Sequence, residues 1–204
     1  MEEKNYTGLV PGNTEGKEIT AESSVTFKDA TEARAFYKVA RERLLDVNDW
    51  GEKAGSLSAD FQLTDERGNV AQRFVEKGDN FRVDIPGPGS HAGEGYDWAR
   101  VEDIKEVNEE SVESIAIIVR PTSNPKNDND NVAHFYSETS TSTFVITREN
   151  SKVTATIYDR NIKANTETHE AVDKVRNAVV GLSAKYAVSK VQWKALAEAL
   201  VKNV

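Results

Sequence analysis

The order in which hydrophobic periods follow one another constrains this chain more than any single motif. One strictly alternating segment, Glu18–Phe27, leads directly into one stretch with apolar residues at three- and four-residue spacing. A long series of alternating segments follows, and a helical pattern from about Thr168 to Val201 closes the chain. One early helix, a run of strands and a last helix predict an α+β fold, with a curved antiparallel sheet wrapped around the C-terminal helix. Such an arrangement encloses a pocket between sheet and helix.

In the first strand, Ile19, Ala21, Ser23, Val25 and Phe27 share one face, and polar side chains share the other. Asp29 offers an N-cap, with Glu32 three residues on to complete a capping pair. The helix it opens carries Ala33, Phe36, Tyr37, Ala40 and Leu44 on one stripe, and Trp50 follows in a polar connection ending near Gly55. Strands are expected at Leu57–Leu63, around Val70–Val75, at Phe81–Ile85 and at Tyr96–Val101. The unbroken run Ile115–Val119 predicts a strand buried on both faces. Two longer strands are expected at about Ala133–Arg148 and Val153–Ile162. The final helical pattern is long, with Val172, Val175, Val179 and Leu182 forming a stripe that closes the core. Gly181, and Ser189 with Gln192 as a second capping pair, predict a break, and Trp193, Leu196 and Leu200 beyond it are assigned to covering a pocket mouth or to a homodimer contact. Residues 1–17 lack periodicity and read as a flexible N-terminal arm, leaving 18–204 as a single domain.

Composition narrows the partners. The net charge of −8 argues against nucleic acid, which needs clustered Lys and Arg. Cysteine is absent, which rules out disulfides, thiolate metal sites and a cysteine nucleophile. The N-terminus has the wrong charge for a signal peptide, and no run approaches the ~18 apolar residues needed to span a bilayer, so a cytoplasmic protein is expected.

The series of one strand, a helix, about six strands and a long C-terminal helix resembles the START-like, or helix-grip, superfamily (SRPBCC). The resemblance is carried by Glu18–Phe27 running into the Asp29-capped helix, by Trp50 after that helix, by the strands from Leu57 to Ile162, and by the amphipathic stretch after Thr168. It implies that the first strand pairs antiparallel with the last, around Val153–Ile162, and that a cavity between sheet and helix holds a small apolar or amphipathic molecule. Members that catalyse reactions there imply the alternative of a cyclase, aromatase or hydrolase, and a filled, non-catalytic interaction domain is the third reading. The ligand contacts expected on this basis are Trp50, Phe61, Trp98, His134 and Tyr136.

No motif fixes a reaction. Gly87–Ala92 matches a dinucleotide fingerprint in letters, but a strand-like segment follows where a helix N-terminus must receive the pyrophosphate. Asn127, Asn129, Asn131 and Glu138 echo a calcium loop, without its carboxylates or its glycine. The three histidines show no ligand spacing, so neither a metal nor a cofactor is expected. His134, Tyr136 and Glu138 alternate on one face; turned inward they make an acid/base group in an apolar cavity, and turned outward a polar ladder. Asp97 and Arg100 beside Trp98 offer either a head-group anchor or a surface pair.

Overall fold

The computed structural model describes residues 3–55, 59–85, 92–165 and 173–203, and of 173–186 the backbone only. The first strand, β1 (Lys17–Thr26), buries Ile19 and Ala21 and packs Val25 against the core. Helix α1 (Ala30–Leu45) starts at Asp29, whose Oδ1 accepts from the amides of Thr31 and Glu32. Glu32 reaches back to the amide of Lys28, one residue before the cap, so the reciprocal half of the capping pair is displaced by one position. The stripe Ala33, Phe36, Tyr37, Ala40 and Leu44 is buried as its spacing requires. A single 3-10 turn and a short helix, α2 (Trp50–Ala54), then place Trp50 in the core, its indole N–H donating to the carbonyl of Arg43.

Six further strands complete the sheet: β2 (Asp60–Thr64), β3 (Asn80–Asp84), β4 (Asp97–Asn108), β5 (Val112–Pro121), β6 (Thr141–Glu149) and β7 (Lys152–Ile162). They form one seven-stranded antiparallel sheet in the order β1-β7-β6-β5-β4-β3-β2, curved around helix α3 (Asp173–Leu200). This is the helix-grip architecture. The first and last strands are neighbours, with Val25 opposite Val153 and Ala21 opposite Ile157.

Strand β5 is buried on both faces. Ile115, Ile117 and Val119 face the helices, whereas Ala116 and Ile118 face outward and meet Leu9 and Val10 of the N-terminal segment together with Val145 and Tyr158. That segment therefore has a defined place on the outer sheet face. The backbone amide of Lys4 donates to the Tyr158 hydroxyl, Tyr6 to Glu149, and the Thr143 hydroxyl to the carbonyl of Leu9. It joins β1 at Gly16, where φ is +66° and a side chain would stand 2.4 Å from the carbonyl of Ile162.

Three expectations are corrected. Val70–Val75 is not a strand: β3 pairs directly with β2, and this segment makes a bridge from Val70 to Thr64, with bonds from Ala71 N to the carbonyl of Leu63 and from Val75 N to the carbonyl of Leu45. The segment runs beside the free edge of β2 but bonds it only around Val70 and Ala71, and by Val75 it has left that edge for α1. The long strand at 133–148 begins only at Thr141; the eight residues before it run as bends held by a bridge between Tyr136 and Ala164. Helix α3 is continuous over 28 residues, about 42 Å at 1.5 Å per residue, without a break at Gly181 or Ser189. Ser189 and Gln192 lie inside it and cap nothing.

Leu196, Ala197, Leu200 and Val201 belong to the main core, so the last turns of α3 grip the sheet and are not left for a dimer contact. Leu57, His91, His169 and Val172, and the side chains of Val175, Val179, Leu182 and Tyr186, lie outside the described residues.

Candidate functional site

The concave face of the sheet and the middle of α3 do not meet completely. Between them lies a cavity of about 60 Å³, several times the ~10–15 Å³ that one water needs. Its sheet wall is Phe61 of β2, Phe81 and Val83 of β3, Ala99 of β4, Val119 of β5, and Ser142 and Phe144 of β6. The strand parity explains the set: these residues alternate with the side chains that face outward. Its helix wall is Val188, Ser189, Gln192 and Trp193, successive positions on one face of α3. The segment before β6 supplies the third wall, His134, Phe135 and Tyr136.

The walls are mostly aromatic. Trp193 stands edge-on to Phe144 with ring centres 5.4 Å apart, and 6.1 Å from Phe61. Trp50 lies behind this layer and touches Phe61, Phe81 and Phe144 at 5.4, 5.5 and 4.7 Å, so it buttresses the lining rings rather than lining the cavity. Trp98 alternates with Ala99 and points to the opposite side of the sheet, where its indole N–H reaches the carbonyl of Gly93. Asp97 shares the face of Ala99 and is buried, whereas Arg100 is on the other face and exposed; the two therefore do not form a surface pair.

The polar groups gather where α3 crosses β6 and β7. The Tyr136 and Ser189 hydroxyls are 3.3 Å apart. His134 stacks on Phe135 with ring centres 4.6 Å apart, and its Nδ1 accepts from the amide of Tyr136 at 2.9 Å. A ring nitrogen that accepts carries no proton, so in this geometry the imidazole is neutral with its hydrogen on Nε2. Glu138 is exposed, contributes only its backbone carbonyl to Arg120, and does not line the cavity. Asn127 and Asn129 form successive side-chain-to-backbone turns, each Oδ1 accepting from the amide two residues on, and Asn127 also donates to the carbonyl of Ala92; Asn131 takes part through its backbone amide. Among the described residues no group of three His, Cys, Asp or Glu side chains converges to hold a metal ion.

The residue that sequence reasoning passed over is Asp159. It lies on β7 in phase with Val153, Ala155 and Ile157, so its carboxylate enters the concave side and is almost wholly buried. Ser142 Oγ donates to Oδ1 at 2.6 Å and Trp193 Nε1 to Oδ2 at 2.7 Å, which ties the cavity's sheet wall to its helix wall through one carboxylate. Burial pushes this carboxyl up to about 6, and the two hydrogen bonds and the charge of Arg160 offset only part of that rise. Arg160 itself faces outward, bonded to the carbonyl of Ile19 and to Glu3. Strand parity alone would have found Asp159, because no other charged residue of β7 falls in phase with the apolar ones.

No protein-family model matches the sequence, and no curated protein matches it. Solved structures do match. A hypothetical protein of Helicobacter pylori superposes with a TM-score of 0.50 at 12% identity, over 97% of this chain and 95% of that one. Truncated norcoclaurine synthase from Thalictrum flavum aligns over 95% of this chain and 100% of its own, with a TM-score of 0.36 and 7% identity. Ara h 8.0201 aligns over 92% and 100%, with a TM-score of 0.36 and 12% identity. The likeness is one of fold.

Proposed function

We propose that the protein binds a small apolar or amphipathic molecule in the cavity between the sheet and α3. The observation that carries this reading is the cavity itself: an aromatic chamber with the Ser189 hydroxyl and Gln192 amide on its helix wall and the His134 imidazole and Tyr136 hydroxyl on the segment before β6. Apolar walls with a few convergent polar groups are the usual make-up of a small-molecule site. Open space beneath the helix supports binding over a core filled by its own side chains. Of the residues expected as contacts, Phe61, His134 and Tyr136 line the cavity and would touch the ligand; Trp50 would act through the rings it supports. Catalysis in the same chamber is the second reading, favoured by the Tyr136–Ser189 hydroxyl pair beside His134.

Native mass spectrometry of protein purified from its own host tests the binding reading. A co-purifying small molecule that is lost when Phe144 is changed to Ala is the expected result. A clean apo mass, together with no thermal shift across a library of aromatic and lipid-like compounds, would overturn it.

A further inference from the structure

Asp159 sits in the seam between the sheet and α3, and its surroundings suit only one of its two protonation states. An ionised carboxylate has about four acceptor sites, whereas a protonated one also carries a donor of its own. The seam offers Ser142 Oγ to Oδ1 and Trp193 Nε1 to Oδ2. Neutral, the group is matched: Oδ2 accepts from the indole, and a proton on Oδ1 lies against the Ser142 hydroxyl. Ionised, it is short of donors, and a buried charge in that condition is costly.

Nothing packed against Asp159 makes up the shortfall. Ile19 faces it from β1 and Ser142 from β6. From α3 come Trp193 and, on the same wall, Ser189 and Gln192, while Lys190 and Lys194 are exposed. His134 and Tyr136 reach the cavity from the segment before β6, and Asp97 enters the concave side from β4, but none of these bonds Asp159. Arg160 turns to the convex face, where Glu3 and Glu18 pair with it. The nearest supply of donors is water. Ser142 and Trp193 both line the cavity, and its volume of about 60 Å³ has room for a few waters at ~10–15 Å³ each.

We infer that Asp159 is a protonation switch in the seam between the sheet and α3: its neutral form keeps the cavity closed and dry, and its ionised form draws water in and loosens the α3 wall. The inference concerns the motion of that wall and stands whether or not a ligand is found. Burial holds the carboxyl at about 6, so both forms are populated within ordinary buffers. Opening returns the group to water and to the ~3.9 of a free aspartate. By linkage, the open fraction then rises about tenfold from pH 5 to pH 7.5.

Two measurements on the full chain test this. In a proton–nitrogen correlation spectrum, the Trp193 indole signal should move with a midpoint near pH 6, while those of Trp50 and Trp98 stay in place. Amide hydrogen exchange around Ser189–Trp193, corrected for its intrinsic pH dependence, should be about tenfold faster at pH 7.5 than at pH 5. Asp159→Asn, fixed in the neutral form, should abolish both responses. His134 is the other titratable side chain on the wall, and histidines titrate in the same range; His134→Gln should leave both responses in place. A Trp193 signal that does not move overturns the inference, and so does a response that survives in Asp159→Asn or vanishes in His134→Gln. A signal that moves while exchange stays level overturns it too, because the carboxyl then titrates without moving the wall. If Asp159→Asn does not fold, the wild type and His134→Gln decide by the same criteria.

Discussion

A buried carboxylate and a buried phenol behave oppositely toward their surroundings here, and each makes a prediction. Asp159 is ionised at neutral pH at the cost of desolvation, because two donors hold it: Ser142 and Trp193. Its native value of about 6 lies above the ~3.9 of an unfolded aspartate, so between those two values the native state binds more protons than the unfolded one. This group's stabilising contribution is therefore full below about pH 4 and lost as pH rises through 6. Asp159→Asn keeps the shape, can accept from Trp193 and donate to Ser142, and should flatten that window. Urea denaturation at pH 4 and pH 7.5 should show the wild type losing roughly 2–3 kcal/mol relative to the variant; parallel pH profiles would refute the assignment. Tyr37 of α1 carries a buried hydroxyl with no partner, and burial, reinforced by Glu106 and Glu113, holds it in the protonated form. Tyr37→Phe removes only the unsatisfied oxygen. Its melting temperature should stay level or rise, by the equivalent of about 1 kcal/mol, and a clear fall would mean that the hydroxyl has a role the fold depends on.

Helix α3 is the element on which both the core and the cavity turn. Along one face, Ser189, Gln192 and Trp193 meet the cavity, and one turn later Leu196 and Leu200 are buried in the main core. Leu196→Ala should therefore cost about 2–5 kcal/mol by chemical denaturation; a near-neutral result would mean that the end of the helix does not hold the sheet. The sequence pattern made parts of this visible and hid others for identifiable reasons. The alternation of β1, the Asp29 cap and the stripe of α1 were legible, because each is decided by neighbours in the chain or by one apolar face, whereas the pairing of β1 with β7 was expected from the order of elements and its resemblance to the helix grip. The unbroken course of α3 was not. Ser189 and Gln192 have the letters of a capping pair, but tertiary contact with Tyr136 and the aromatic wall keeps them in mid-helix. Likewise His134 and Tyr136 were singled out for their chemistry and do reach the cavity wall, although as part of a bent segment and not of a strand. Glu138 was tied to them only by the assumed two-residue period, and it separates once that period is broken.

At the scale of the whole molecule, the sheet must be covered on both faces, because β5 and its neighbours are apolar on both. Helices α1 and α3 cover the concave side, and residues 4–10 cover the convex side over Ala116, Ile118, Val145 and Tyr158. The two covers differ in energetic weight. Burying Leu9 and Val10 gains roughly 3–6 kcal/mol, and the entropy lost in ordering the arm's backbone opposes that gain. The exposed Tyr6–Glu149 bond adds little, and the apolar sheet surface removed from water is the main term that favours docking of the arm. Docking is thus nearly balanced, and the helix-gripped body from Lys17 onward should fold without it. Deleting residues 1–11 is expected to lower global stability by less than about 2 kcal/mol. The same deletion bares Ala116 and Ile118 beside Tyr158, a patch that should bind a hydrophobic fluorescent dye and drive self-association in light scattering. Loss of folding on truncation would make the arm an integral layer of the domain; a truncated protein that stays monomeric and binds no dye would mean that the convex face needs no cover at all.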